Sequence, residues 1–85
     1  MKLYFEDSHK KERFVADVNS PEECSKAIKK VLKKYPNFKS YYTRVNFYDD
    51  KVQYDVGSWT EFFNLRGTTE EELKKVKKEW YGMED

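Results

Sequence analysis

The sequence predicts an α+β domain in which an antiparallel sheet carries two helices, in the order ββαβββα. Short segments with alternating apolar and polar residues indicate strands, and two amphipathic segments with capping signals indicate helices. The 85-residue chain is long enough for one domain, residues 1–85. Only 38% of the residues are hydrophobic but 18% are aromatic. Because each buried ring removes about 150–250 Å² from water, rings are expected to build much of the core.

Two strands are predicted at residues 3–5 and 13–18, joined by a polar loop. In the second strand Phe14, Ala16 and Val18 alternate with polar residues, as expected of a half-buried strand. Val15 interrupts this alternation.

The first helix is predicted to begin at Pro21, with Ser20 as N-cap and Glu23 completing a capping box. The helix is predicted to end before Pro36. Its apolar residues lie at helical spacing on one face: Cys24, Ala27, Ile28, Val31, Leu32 and Tyr35. The opposite face carries five lysines: Lys26, Lys29, Lys30, Lys33 and Lys34.

A three-stranded meander is predicted at residues 41–48, 52–56 and 59–65. Asp49 and Asp50 form the first turn, and Gly57 with Ser58 bends the chain before the last strand. In the first of these strands one face carries Tyr42, Arg44, Asn46 and Tyr48. In the last strand, Trp59, Phe63 and Leu65 alternate with Thr60, Phe62 and Asn64, so only one of these two sets belongs to the core.

The second helix has two candidate caps, Thr68 with Glu71 or Thr69 with Glu72. Gly82 is a suitable terminator. Its narrow apolar stripe consists of Leu73, Val76 and Trp80, with Tyr81 as a possible fourth member.

Composition disfavours several classes of protein. The net charge of +1 is low for a nucleic-acid-binding domain, although residues 19–40 carry six lysines against two glutamates. The single cysteine, Cys24, excludes an intramolecular disulfide. The sequence shows neither a signal peptide nor an apolar run of about 20 residues, so we expect a cytoplasmic protein without membrane spans.

Catalytic chemistry is also disfavoured. His9, the only histidine, lies in a polar loop without an orienting partner. Cys24 belongs to the apolar stripe of the first helix and is therefore expected to be buried and inert. Asp55 and Glu61 form a possible carboxylate pair across a hairpin, for which we expect a structural role. The sequence thus predicts no catalytic residue, no metal site and no cofactor.

Aromatic residues indicate a candidate binding surface instead. Ten of the fifteen lie in residues 35–63. The predicted partner-binding residues are those of the aromatic strand face and of the bend that follows: Tyr42, Arg44, Tyr48, Trp59 and Glu61. Rings beside an arginine suit a protein hot spot. The alternative is that a helix covers this face and the tyrosines cap a core.

Two other interpretations stay open. In the first, the same rings stack on bases of a nucleotide or nucleic acid. Its phosphates are then contacted by Lys26, Lys30, Lys33 and Arg66. In the second, exposed rings close a homo-oligomer.

Residues 38–44 (FKSYYTR) and 55–63 (DVGSWTEFF) together resemble small uncharacterised phage and prophage proteins of Gram-positive bacteria, which have a similar DVGSxTEFF segment. Those proteins often have histidine where this chain has Trp59, so a potential ligand or base is missing here. The resemblance covers residues 38–63 and carries no established activity. It implies an accessory protein in the host cytoplasm that acts by binding: it blocks a host defence protein, sequesters its signalling nucleotide or redirects a host machine. Of these, we expect a protein that binds and inhibits a host factor, such as an antiviral defence component.

Overall fold

The computed structural model describes residues 1–34, 44–57, 60–67 and 69–83. Their elements follow the predicted order ββαβββα and confirm the α+β class. The strands and helices are β1 (Lys2–Glu6), β2 (Glu12–Asp17), α1 (Pro21–Leu32), β3 (Arg44–Phe47), β4 (Val52–Asp55), β5 (Phe62–Arg66) and α2 (Glu70–Tyr81).

The five strands form one antiparallel sheet in the order β2-β1-β5-β4-β3. Hairpins account for three of the four strand pairs. The fourth pair joins β1 to β5, the first and last strands in the chain, with Leu3 opposite Leu65 and Phe5 opposite Phe63. This long-range pair makes β1 and β5 inner strands and leaves β2 and β3 at the edges.

The core lies on one face of the sheet. Strand residues of one alternating set are buried there: Leu3, Phe5, Val52, Tyr54, Phe63 and Leu65. Cys24, Ile28 and Leu32 of α1 and Leu73 and Val76 of α2 belong to the same cluster. Both helices therefore pack on this side, the helix-covered face. Gln53 and Asn64 belong to the other alternating set and define the opposite side, the open face.

Helix α1 begins as its sequence predicts. Ser20 has extended backbone angles, and its hydroxyl accepts a hydrogen bond from the Glu23 N–H at 3.1 Å. Pro21 occupies the first turn, where its missing N–H costs nothing. The helix ends at Leu32, and the predicted last stripe residue, Tyr35, lies outside the described residues.

Helix α2 uses the second of its two candidate caps. The Thr69 hydroxyl accepts a hydrogen bond from the Glu72 N–H at 3.1 Å. Gly82 ends the helix in the left-handed conformation at φ 65°, as predicted. At this end the Tyr81 ring packs 5.5 Å from Phe47, and its hydroxyl is hydrogen-bonded to that of Tyr54.

The described meander strands have bounds that differ from those of their sequence patterns. Strand β5 begins at Phe62 rather than at residue 59, because the chain turns sharply after β4. Gly57 has φ 83°, and its N–H donates to Asp55 Oδ1 at 2.9 Å, a turn that glycine favours. Strand β3 is Arg44–Phe47, and residues 41–43 lie outside the described chain.

The neighbours Phe62 and Phe63 test which side of β5 is core. Phe63 is fully buried and lies 5.2 Å from the Phe5 ring, whereas Phe62 is half-buried on the open face. We expect Phe63→Ala to lower the free energy of unfolding by about 3–5 kcal/mol, since it leaves a cavity. Phe62→Ala is the matched control and should cost about 1 kcal/mol or less. Urea denaturation of both variants measures the difference, and equal losses would contradict the assigned faces.

Candidate binding surface on the open sheet face

The open face presents one continuous row of side chains across all five strands. Cross-strand pairing places Asn46, Gln53, Asn64, Tyr4 and Phe14 side by side. Among the described residues, no helix packs against this row. Along this row the amides lie on β3, β4 and β5, and the aromatic rings lie on β1 and β2.

The amides are held rigidly. Gln53 Nε2 donates to Asn64 Oδ1 at 3.1 Å, and Asn64 Nδ2 donates to Glu6 and Glu12 at 2.9 and 2.6 Å. Asn64 is 0% exposed and Gln53 is 8% exposed, although they face away from the core. Buried polar groups are costly unless they are hydrogen-bonded, and these are. The bonds join four strands and fix their register.

Arg66 extends this network. Its Nε and one terminal nitrogen donate to Glu12 Oε1 at 3.0 and 2.9 Å, and the other terminal nitrogen donates to Asp50 Oδ2 at 3.3 Å. The bond from Arg66 holds the pKa of Asp50 below its usual value. Burial opposes the charge of Arg66, yet its two carboxylate partners raise its pKa. Arg66, which the sequence predicts to contact a phosphate, thus has its guanidinium paired with the carboxylates of Glu12 and Asp50.

The other predicted partner-binding residues lie at different ends of the open face. Arg44 is exposed at the start of β3, opposite Asp55. Tyr48 is 45% exposed and follows the other end of β3, with its ring 5.4 Å from Lys51 Nζ. Glu61 is half-buried before β5 and accepts a hydrogen bond from Thr60. Tyr42 and Trp59 lie outside the described residues.

The predicted lysine contacts lie on the other side of the molecule. Lys26, Lys30 and Lys33 are exposed on or just after α1, which packs on the helix-covered face. Arg44 and Arg66 belong to the open face. The structure therefore places the predicted phosphate contacts on two sides of the described sheet.

Sequence reasoning missed the aromatic contribution of the first hairpin. Tyr4 and Phe14 lie side by side on the open face, with ring centroids 6.0 Å apart. Phe14 is 51% exposed. Alternation in β2 indicates that Phe14 shares a face with Ala16, but the bulge at Val15 shifts it to the opposite face.

The two residues considered for catalysis, Cys24 and His9, lie in different surroundings. Burial raises the pKa of the Cys24 thiol to about 11, so the nucleophilic thiolate is disfavoured. His9 is exposed in the β1–β2 loop, where its backbone N–H donates to Asp7 at 2.8 Å.

Within the described ranges, no three or more His, Cys, Asp or Glu residues are grouped to hold a metal ion. No described helix is long and apolar enough to cross a bilayer.

The amide pair gives a prediction on stability. Asn64→Ala leaves Gln53 and two glutamates without their shared partner, so we expect a loss of about 1–3 kcal/mol in the free energy of unfolding. Asn46, half-buried at the end of the same row, is the matched control. Asn46→Ala should cost about 0.5 kcal/mol. Thermal and urea denaturation measure both losses. If Asn64→Ala lowered the free energy of unfolding no more than Asn46→Ala does, the idea of a fixed hydrogen-bond network would be contradicted.

Cys24 gives a second prediction. Its folded pKa of about 11 lies above its ordinary value of 9.0, because burial favours the neutral thiol. The resulting stabilisation is complete below pH 9 and is lost as the pH rises towards 11. The difference in unfolding free energy between the native chain and Cys24→Ala should therefore shrink by roughly 2 kcal/mol over this range. A difference that is constant with pH would contradict the burial of an uncharged thiol.

Comparison with known proteins identifies no relative: no protein-family model matches the chain, and no curated protein or solved structure is significantly similar to it. The resemblance to phage proteins stays a prediction. Evidence about function comes from the surfaces described above.

Proposed function

We propose that this chain is a non-enzymatic phage accessory protein that binds and inhibits a host factor, with an antiviral defence component as the expected target. The open face of the sheet is the proposed docking surface. One observation supports this most strongly: the face combines a rigid hydrogen-bonded centre at Asn64 with exposed side chains around it, among them Arg44 and Phe14.

Rigidity favours this use of the face. Association costs free energy when flexible side chains must be ordered, and a surface that is already fixed avoids much of that cost. The bonds of Asn64 to Gln53, Glu6 and Glu12 fix the centre of the open face before any partner arrives. Exposed rings and an arginine at the periphery then supply the residue types that dominate protein interfaces.

Charge favours a protein over a nucleic acid as the partner. The strand residues of the open face include three basic side chains, Lys2, Arg44 and Arg66, and four acidic ones, Glu6, Glu12, Asp17 and Asp55. A phosphate-binding surface normally has a clear positive excess. In addition, Arg66 already pairs with two carboxylates.

The size of the face indicates that the interface extends beyond the strands. Four inter-strand spacings of about 4.8 Å and five residues of about 3.4 Å give a flat projection of roughly 330 Å². A standard interface buries about 800 Å² on each partner. The turns that border the open face, close to Tyr48 and Glu61, are therefore part of the proposed interface.

Affinity purification from a Gram-positive host tests the proposal. The open-face variant carries Arg44→Ala and Tyr48→Ala, and the matched control carries Lys26→Ala and Lys33→Ala on the opposite side. We expect the unmodified chain and the control to retain the same host protein, and the open-face variant to bind it at least about tenfold more weakly. Circular dichroism should show that both variants stay folded.

Two results would contradict the proposal. Equal loss in both variants would remove the open face as the binding surface. A small molecule released by heating, without a specific protein, would instead favour the nucleotide-binding alternative, whose affinity should fall steeply with salt.

A further inference from the structure

A second surface lies at the edge of the sheet. A groove of about 510 Å³ runs between edge strand β2 and helix α1. Its apolar lining consists of Val15 and Ala16 from the strand and Ala27 and Val31 from the helix. All four are only half-buried, so this part of the apolar surface is not fully covered by the described chain.

Phe14 stands beside this apolar lining. Its ring is 51% exposed, the largest exposure among the large hydrophobic side chains of the described residues. Its packing against Tyr4 holds one edge in place and leaves the rest accessible. Such a ring is a suitable anchor for an apolar side chain of a partner.

The charge of the groove has one sign. Among the described residues, its charged lining consists of Arg13, Lys30 and Lys34, and none of the described lining residues is acidic. Neither Lys30 nor Lys34 forms an ion pair with another described residue. The open face carries both signs on its strands, so the groove is a chemically different surface.

The bulge in β2 limits how a partner uses this edge. An edge strand can extend its sheet into another chain, but a bulge interrupts the regular row of backbone groups. In β2 the register shifts opposite Leu3 and Tyr4, which leaves Val15 as the extra residue. Recognition in the groove therefore relies on side chains, and pairing with β2 of a second copy is disfavoured.

We propose that the groove between β2 and α1 binds an acidic peptide segment of a partner protein through one bulky apolar side chain. The apolar side chain packs against Phe14, Ala27 and Val31. Flanking carboxylates pair with Arg13, Lys30 and Lys34. The groove shares Phe14 with the open face, but its other lining residues lie elsewhere on β2 or on or just after α1, so the inference does not depend on the proposed function.

Selection from a displayed library of random peptides tests this binding. The enriched peptides should combine Asp or Glu with a leucine or an aromatic residue. Fluorescence anisotropy with one labelled, enriched peptide then compares two charge reversals of equal size. Lys30→Glu with Lys34→Glu should weaken binding at least about tenfold, whereas Lys26→Glu with Lys33→Glu, on exposed residues outside the groove, should weaken it less than about threefold.

A third variant, Phe14→Ala, should weaken the same peptide at least about tenfold while leaving the salt dependence of binding unchanged. Arg44→Ala on the open face should have no effect, which separates this site from the one proposed above. The proposal is wrong if no acidic peptides are enriched, if both charge reversals weaken binding equally, or if Phe14→Ala binds normally. Thermal denaturation confirms that each variant is folded, and Lys30→Gln with Lys34→Gln replaces the glutamates if the first pair unfolds.

Discussion

The pairing of β1 with β5 is the constraint on which the rest of the structure depends. It places Leu3 beside Leu65 and Phe5 beside Phe63. The centre of the core is therefore built from the first and the last strand of the sheet. Without this pairing, the first hairpin is an isolated two-stranded ribbon, which is marginally stable at best, and the meander loses the apolar side chains of β1 from its core. The two helices then cover one side of the joined sheet.

The same pairing creates the polar centre of the open face. It brings Asn64 on β5 next to the first hairpin, where Glu6 and Glu12 accept its amide hydrogens. Arg66 reaches Glu12 from the same strand. The apolar pairs on one face of the sheet and the polar network on the other therefore both hold β5 against β1. When packing and hydrogen bonding favour the same strand pairing, a small domain has a single folded state.

The aromatic residues divide between structure and surface. Phe5, Tyr54 and Phe63 are buried under the helices and supply much of the core volume that a chain of this composition needs. Phe14 and Tyr48 are exposed on the other side or at its border. Ring content alone therefore did not distinguish core from binding surface. The side of the sheet on which each ring lies made that distinction.

The sequence by itself determined the local elements: both helices, the N-cap of α1, the glycine that ends α2, the approximate positions of the strands and, except at the bulge in β2, the alternation that divides a strand into two faces. Ser20, Thr69 and Gly82 act through neighbours within one helical turn, so their effects are readable from spacing. Only the tertiary structure decided the strand order, the covered face and the partners of Asn64 and Arg66. Glu12 lies 52 and 54 residues from these two, and no local pattern encodes a contact over such a distance. The groove beside β2 likewise arises only where the packed α1 meets the bulged edge strand.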